Sequence, residues 1–565
     1  MAEERFVIGK NGSLVAAVAL GAALGFVSPS THGLAIATAL AQSAQPAAEA
    51  TEQSAAEQKP LSPLMKAIQR EAALSTQARV LMDFYRADDA APIWVSDSGP
   101  SDKAADMVAA LKTAGEHGLN PNEYGVGALD ALLTATDEAS LAELEVGLST
   151  GLINFTRHLY AGRVSPSSIN KDLHIDPEPP NFEEVLGGAI NSPDLGNFVE
   201  SWAPRTPRYF RMKNALKAYR ALESFGEWPT VPDGEALKPG MDDPVRVPAL
   251  QARLEHSGIL PRGLHEGTVY DGVIVDVVKA FQQRHGLATD GVIGPDTYTE
   301  LNTPIAERVR QIEINMERRR WMSDDPGRFY IFVNIADQMM RVTEDLGYRE
   351  KTIHTARVVI GKPYRRTPVF TDKMEYIVVN PTWNVPRSIA VRDFLPKLKK
   401  NPNALSPERF RFISGGGDVN PRRIDFNRYT AATFPFRIQE RPGPHNALGR
   451  IKFMFPNEFA VYIHDTPSKA LFDRDLRVFS SGCIRVEDPM ALANLILGRE
   501  GVGASRVQRV LDSGRETRID LQNEVPVHIT YITSWVNKDG TPHFRRDPYD
   551  RDASLSEALT DATGL

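Results

Sequence analysis

Cysteine is nearly missing from this chain of 565 residues: there is one, Cys483. A single thiol excludes an intramolecular disulfide, a cysteine-based zinc site and a CxxC redox pair. Long apolar runs are scarce too. The longest, Leu14 to Val27, has about 14 residues, whereas a spanning helix wants about 20. An excess of one charge is lacking: 65 Lys plus Arg against 72 Asp plus Glu leaves −7, with no basic footprint for nucleic acid. Glycine (41) and proline (40) stay near average, which excludes collagen-like and Pro/Gly low-complexity classes. No P-loop, no HExxH and no dinucleotide fingerprint occurs, and Gly415 to Gly417 lacks the strand–turn–helix setting of a phosphate cradle. What is present, 42% hydrophobic and 24% charged residues, is the balance of a folded protein, and the length predicts about three to four domains.

The first 41 residues read as an export signal. Arg5 and Lys10 precede the apolar run, Pro29 breaks it, and Ala39-Leu40-Ala41 is a small-x-small cleavage pattern. An uncleaved membrane anchor is the alternative, opposed by Ser28, Pro29, Ser30 and His32. Export places the remainder in an oxidising compartment, where an idle thiol is a hazard. Residues 42–60, rich in Ala, Gln, Glu and Ser, read as a flexible linker.

From 61 to 230 the apolar residues recur at helical spacing, as at Ala78, Leu81, Met82 and Tyr85, predicting a helical domain. His117 and His158 lie in or beside these helices without ligand partners at fixed spacing, so both read as packing or capping residues. Residues 229–244, rich in Pro, Gly and Asp, read as a boundary. A small three-helix module is predicted over 240–304, with Val277, Val278 and Phe281 on its buried face. Ile305 to Trp321 reads as a charged, Arg-rich helix. Beyond Arg328 the period changes to two, and a β-rich domain is expected over 327–535, with strands at Tyr330–Ile335, Tyr376–Asn380, Ala460–His464 and Val527–Ile532. The interval 386–449 within it is long enough to be a functional cap or binding loop, the alternative being an insertion without a role. Residues 536–565 read as a polar tail with one terminal helix. The whole is a multidomain α+β chain.

The chemistry concentrates in Tyr462-Ile463-His464-Asp465-Thr466 and, sixteen residues after His464, Ser480-Ser481-Gly482-Cys483-Ile484-Arg485. A histidine ending a strand and a cysteine after a glycine turn make a base and a nucleophile. A free thiol is only roughly 3% ionised at pH 7, so full ionisation gains about 30-fold. The rest must come from positioning and from an oxyanion hole, most simply the N–H groups of Gly482 and Cys483. Arg485 suits either the bracing of the loop or a substrate carboxylate. Ser480 and Ser481 lack a second base nearby. Asp465 alternates to the opposite strand face from His464 and is a poor third member.

These residues resemble the signature of L,D-transpeptidases of the YkuD type: His, a gap of about 14 to 17, then Ser/Thr-His-Gly-Cys, an apolar residue and Asn or Arg. Ser480, Gly482, Cys483 and Ile484 match; Ser481 stands where many members have His, and Arg485 where many have Asn. The Ser-Ser-Gly-Cys-x-Arg-Val form is similar to the large Gram-negative YcbB-like subfamily, as are Gly361-Lys362 with Thr367-Pro368, and Asn380-Pro381-x-Trp383-x-Val385-Pro386. Residues 240–304 resemble a peptidoglycan-binding module through Lys279-Ala280-Phe281-Gln282 and Asp290-Gly291-x-x-Gly294. The resemblance implies acyl transfer between peptidoglycan stem peptides in the periplasm. Cys483 would be the nucleophile, His464 the general acid and base, and 386–449 a cap. Gly482, Ser481 and Arg485 would shape the site, and Trp383 and Tyr462 either line the cleft or belong to the core. It implies no metal or organic cofactor, acylation by carbapenems, and a membrane contact only if the N-terminal segment stays uncleaved. Other cell-wall synthesis proteins are open as partners. Water, a free D-amino acid or an envelope protein are open as acceptors, and a non-catalytic wall-binding scaffold is the alternative of a different class.

Overall fold

The structure, a computed structural model, describes residues 61–87, 90–346 and 350–562. The expected export segment (1–41) and linker (42–60) lie outside them. No helix among the described residues is long and apolar enough to cross a membrane.

Side-chain caps start the N-terminal helices where the chain predicts them. Ser62 accepts from the Met65 N–H and Pro63 opens α1 (Pro63–Leu74), followed by α2 (Ala78–Tyr85) and α3 (Asp102–Lys112). The long α4 (Glu138–Ala161) is capped by Asp137 and stops at Gly162, whose φ of 85° a side chain would resist. With α5 (Pro207–Glu223) these helices bury Leu111, Leu148, Phe155 and Leu216 in one core. His117 is buried there, between the Tyr209 hydroxyl at 3.1 Å and Glu200 at 2.9 Å, and His158 meets the Tyr124 hydroxyl at 2.9 Å. Both are packing residues.

A second core belongs to α6 (Arg246–His256), α7 (Gly272–His285) and α8 (Pro295–Asn302), which bury Leu250, Leu254, Val278, Phe281 and Leu301 together. Val231 and Leu237, in the segment read as a boundary, join this core, and Leu237 pairs with Ile293. Apolar burial thus draws the module's start back from 240 into the Pro-rich stretch.

The Arg-rich α9 (Ile305–Arg320) is not a solvated helix. Val309, Ile312 and Met316 enter the first core, while Ile314 enters that of the β-rich domain. Among the described residues Arg320 pairs with Glu317 at 2.6 Å and Arg318 with Asp552 at 2.5 Å, while the buried Arg319 has no ion pair. Glu317 also accepts from the Arg163 N–H beyond α4.

The β-rich domain contains β1 (Phe329–Asn334), β2 (Met339–Asp345), β3 (Glu350–Gly361) and β4 (Phe370–Val379). β5 (Trp383–Asn384) precedes the inserted segment, which holds β6 (Phe410–Ser414), β7 (Gly417–Val419) and β8 (Arg437–Glu440). Then come β9 (Ile451–Met454), β10 (Ile463–His464), β11 (Val478–Ser480) and β12 (Ile484–Val486). Helices α10 (Pro489–Arg499) and α11 (Ala504–Asp512) lead to the long β13 (Thr517–Thr530). Nine strands form one sheet in the order β11-β3-β12-β10-β9-β4-β13-β1-β2, and β2 also pairs with β3, closing it on itself. Its interior carries Ile331, Val333, Ile377, Phe453, Ile463 and Ile484. The strand expected at 460–464 shortens to two residues because Ala460 sits at φ 51°, in a turn whose Asn457 side chain bonds both the N–H and the carbonyl of Val461.

The segment 386–449 has a core of its own and, with Trp383–Asn384, a four-stranded sheet, β5-β8-β6-β7, that the sequence reading did not anticipate. Phe410, Phe412, Phe426, Phe434, Phe436 and Ile438 fill it. Its helical run is Arg387–Ile389, a wide π turn at Ala390–Phe394, and Leu395–Lys400.

Of the polar tail expected over 536–565, the described residues 536–562 are structural. The hairpin β14 (Ser534–Val536) and β15 (Pro542–Phe544) puts Val536 and Phe544 into the helical core. Helix α12 (Arg551–Asp561) returns Leu555 and Leu559 to the β-rich core, beside Tyr549. Burial of those few large side chains overrides the polar composition around them.

Candidate active site

Strand register assembles the site. Parallel pairing sets Ile463 beside Ile484 and His464 beside Arg485; antiparallel pairing sets Lys452 beside His464. Paired residues share a face, and positions two apart along a strand do too. Tyr462, His464, Cys483, Arg485 and Lys452 therefore gather on one face, while Ile463, Ile484 and Phe453 fill the other. Asp465 lies off that face, where its carboxylate accepts from the Arg450 N–H at 2.8 Å and the Thr466 N–H at 2.7 Å and meets Lys469.

The loop Ser480–Cys483 is held rigidly. Ser480 Oγ donates to the Cys483 carbonyl at 2.6 Å and accepts from the Gly482 N–H at 3.1 Å. Thr367 Oγ1 donates to the Gly482 carbonyl at 2.8 Å and accepts from the Gly361 N–H at 3.0 Å. Tyr549, from the C-terminal segment, donates to the Gly361 carbonyl at 2.6 Å. Gly482 has φ 117°, a region closed to side chains, and a Cβ on Gly361 would run into the Arg365 carbonyl. The Gly361…Thr367 turn is thus the floor of the cysteine loop. One expectation changes: the Gly482 N–H is already engaged by Ser480. Among the described residues, the Cys483 N–H remains open.

His464 is buried, and its Nδ1 meets the Asp465 backbone carbonyl at 2.5 Å. Burial, and then the Arg485 charge, bring its pKa down to about 3, so the ring is neutral at ordinary pH. The tautomer this contact selects carries its proton on Nδ1 and a lone pair on Nε2. Burial likewise pushes the Cys483 thiol up, against the Tyr462 N–H and hydroxyl, Lys452 and Arg485, which all favour thiolate. The resting site therefore pairs a neutral thiol with a neutral imidazole. No hydrogen bond joins the two among the described residues; the half-buried Sγ points to the Ala460 carbonyl at 3.7 Å.

Tyr462 links the remaining parts. Its hydroxyl stands beside the Cys483 thiol and the Trp383 side chain, its ring lies edge-on to His464 at 5.6 Å, and the Lys452 ammonium sits 3.9 Å over it. Both Trp383 and Tyr462 thus border the thiol as half-buried residues. Ser481 is exposed and accepts from Arg365 Nη1 at 3.0 Å. Arg485 has no ion pair among the described residues, and its buried Nε has no partner. The sequence reading gave Lys452 no role in the site, although a lysine between the core residues Ile451 and Phe453 was a visible mark of a face turned away from the core. No group of three or more His, Cys, Asp or Glu among the described residues is arranged to hold a metal.

Comparison with known proteins agrees with this arrangement. Residues 328–529 match the family described as "L,D-transpeptidase catalytic domain", residues 244–301 the "Putative peptidoglycan binding domain" and residues 79–216 the "Scaffold domain". A Haemophilus influenzae protein described as "Putative L,D-transpeptidase" is 34% identical over 250 residues, covering 44% of this chain and 50% of that protein. The chain thus spans about half the length of this curated relative. Solved structures of Bdellovibrio bacteriovorus Bd1075 (15% identical, 41% of this chain and 56% of that one) and of a Xylanimonas cellulosilytica L,D-transpeptidase (14%, 53% and 98%) each give a TM-score of 0.16. At that score the chains do not superpose, and the assignment stands on the family matches. The β-rich domain belongs to the YkuD L,D-transpeptidase catalytic family, and it is joined in this chain to a peptidoglycan-binding domain.

Proposed function

We propose that the chain is a cysteine-dependent L,D-transpeptidase that forms 3→3 crosslinks between peptidoglycan stems, working in the periplasm after export. The observation that carries this reading is the single sheet face that holds Cys483, a neutral His464 and two cations, Lys452 and Arg485. Stem peptides are anionic, and among the described residues Arg485 has no carboxylate to satisfy it.

The steps balance without a cofactor. Cys483 Sγ attacks the carbonyl of the third stem residue, a meso-diaminopimelate, as its proton passes to His464 Nε2. The oxyanion takes the Cys483 N–H. Collapse breaks the C–N bond to the fourth residue, and the imidazolium returns its proton to the leaving amine of D-alanine. The side-chain amine of a second stem then attacks the thioester, gives a proton to His464, and the thiolate recovers one as it leaves. Starting from a neutral pair, charge develops only during attack, where Lys452, Arg485 and the Tyr462 N–H favour it.

Purified protein and its Cys483→Ala variant incubated with disaccharide-tetrapeptide, with products read by mass spectrometry, test this. A 3→3 dimer and free D-alanine, absent with the variant, are expected. Tripeptide alone would make water the acceptor, and no Cys483-dependent product would leave a wall-binding scaffold. A carbapenem should add its mass to the wild-type chain and not to Cys483→Ala.

A further inference from the structure

The cap 386–449 has its own core and joins the barrel through its two chain ends, near Asn380–Trp383 and Glu440–Gly449. A body hinged in that way can swing unless a third contact holds it. Among the described residues, one ion pair crosses from this segment to the rest of the chain: Asp393 to Arg365. It is bidentate, Nη1 to Oδ2 at 2.7 Å and Nη2 to Oδ1 at 2.8 Å. The same Nη1 donates to Ser481 Oγ at 3.0 Å, two residues from Cys483. Arg365 belongs to the turn that floors the cysteine loop. Asp393 lies in the cap's π turn, Ala390–Phe394, a geometry that re-aims side chains and recurs at functional sites. Its neighbour Phe394 packs edge-on against Trp383 at 6.0 Å, and Trp383 stands beside Tyr462, which borders Cys483. One cap turn therefore reaches the surroundings of the nucleophile on two sides, at Ser481 through Arg365 and at Tyr462 through Trp383.

We infer that Asp393 and Arg365 form a latch that holds the cap closed over Cys483 and, through Ser481, ties cap position to the nucleophile loop. They are positioning residues, and the inference rests on Cys483 being the working nucleophile. Solvent reaches both partners, so the pair adds little to global stability and acts mainly on where the cap sits.

Cys483 is the single cysteine, so thiol labelling reads this site alone. Rates with a small reagent, iodoacetamide, and a bulky one, a polyethylene-glycol maleimide, should be compared in wild type, Asp393→Asn and the charge swap Arg365→Asp with Asp393→Arg. A shift in thiol ionisation changes both rates alike; cap opening favours the bulky reagent. Asp393→Asn should raise the bulky-to-small ratio about three- to fivefold, the upper end of what loss of a solvent-reached ion pair gives. The melting temperature should not change, and the swap should return the ratio toward wild type. An unchanged ratio in Asp393→Asn, or a swap that fails to restore it in a folded protein, overturns the latch. Labelling needs no transfer activity, so failure of the transpeptidase reading would show in the product assay and not here.

Discussion

His464 is oriented by the backbone of its own neighbour: its Nδ1 meets the Asp465 carbonyl at 2.5 Å, while the Asp465 carboxylate is occupied with Arg450, Thr466 and Lys469. The third member of the site is a peptide carbonyl, which no side-chain substitution removes.

Two variants should therefore diverge. His464→Gln should lower kcat by roughly 10²- to 10⁴-fold through loss of the proton carrier. Asp465→Asn should leave the pH profile of turnover in place and act on stability, through a weaker hold on the Arg450 and Thr466 N–H groups. Steady-state kinetics beside thermal melts of both variants check this.

The His464 pKa, brought from 6.5 to about 3, has a signed consequence for stability. The unfolded chain takes up a proton at this residue as pH falls below 6.5, and the folded protein does not until about 3. Stability from this residue is thus complete above 6.5 and is lost progressively down to about 3. Glu145, raised to about 7 by burial in the helical domain, acts with the opposite sign over the upper part of that range. The His464 share is therefore read as a difference: urea melts from pH 7 to pH 4 should show wild type losing more stability than His464→Asn.

The loop hydrogen bonds predict a graded pair. Ser480→Ala leaves the Gly482 N–H without its acceptor and should cost about 1–3 kcal/mol. Gly482→Ala forces a side chain onto φ 117°, with strain of about 1–3 kcal/mol relieved only by moving the adjacent Cys483. Its activity loss should exceed that of Ser480→Ala at comparable stability, as measured by turnover and chemical denaturation.

Arg485→Met and Lys452→Met should raise KM for an anionic stem substrate roughly tenfold or more, by removing a partner of a desolvated charge pair. Both should also raise the thiol pKa, since each cation favours thiolate. The pH dependence of iodoacetamide labelling should move to higher pH in both variants, whereas a purely structural arginine would leave it in place.

Much of this site was legible along the chain because its signals are local. The Gly482-Cys483 pair, the strand ending at His464 and their sixteen-residue offset to Ser480 need no knowledge of packing. The β-rich domain announced itself by period-two alternation from Tyr330 onward, and the long interval 386–449 by its length. The cap's sheet was missed although Phe410 and Phe412, then Phe434, Phe436 and Ile438, alternate, because each run is short and set among arginines. The C-terminal segment was misread because four anchors, Phe544, Tyr549, Leu555 and Leu559, decide its burial against a polar background.

By itself, then, the amino-acid sequence determined the chemical elements of this protein: one thiol after a glycine, a histidine at a strand end, and a helical module of wall-binding type. Those depend on residue type and short-range spacing. Only tertiary structure decided that Lys452 and Arg485 stand beside His464, that a backbone carbonyl orients it, that Arg318 and Arg320 of α9 are buried against carboxylates, and that Asp393 reaches Arg365. Each of these joins residues distant in sequence, and strand register and apolar burial, acting over the whole fold, bring them into contact.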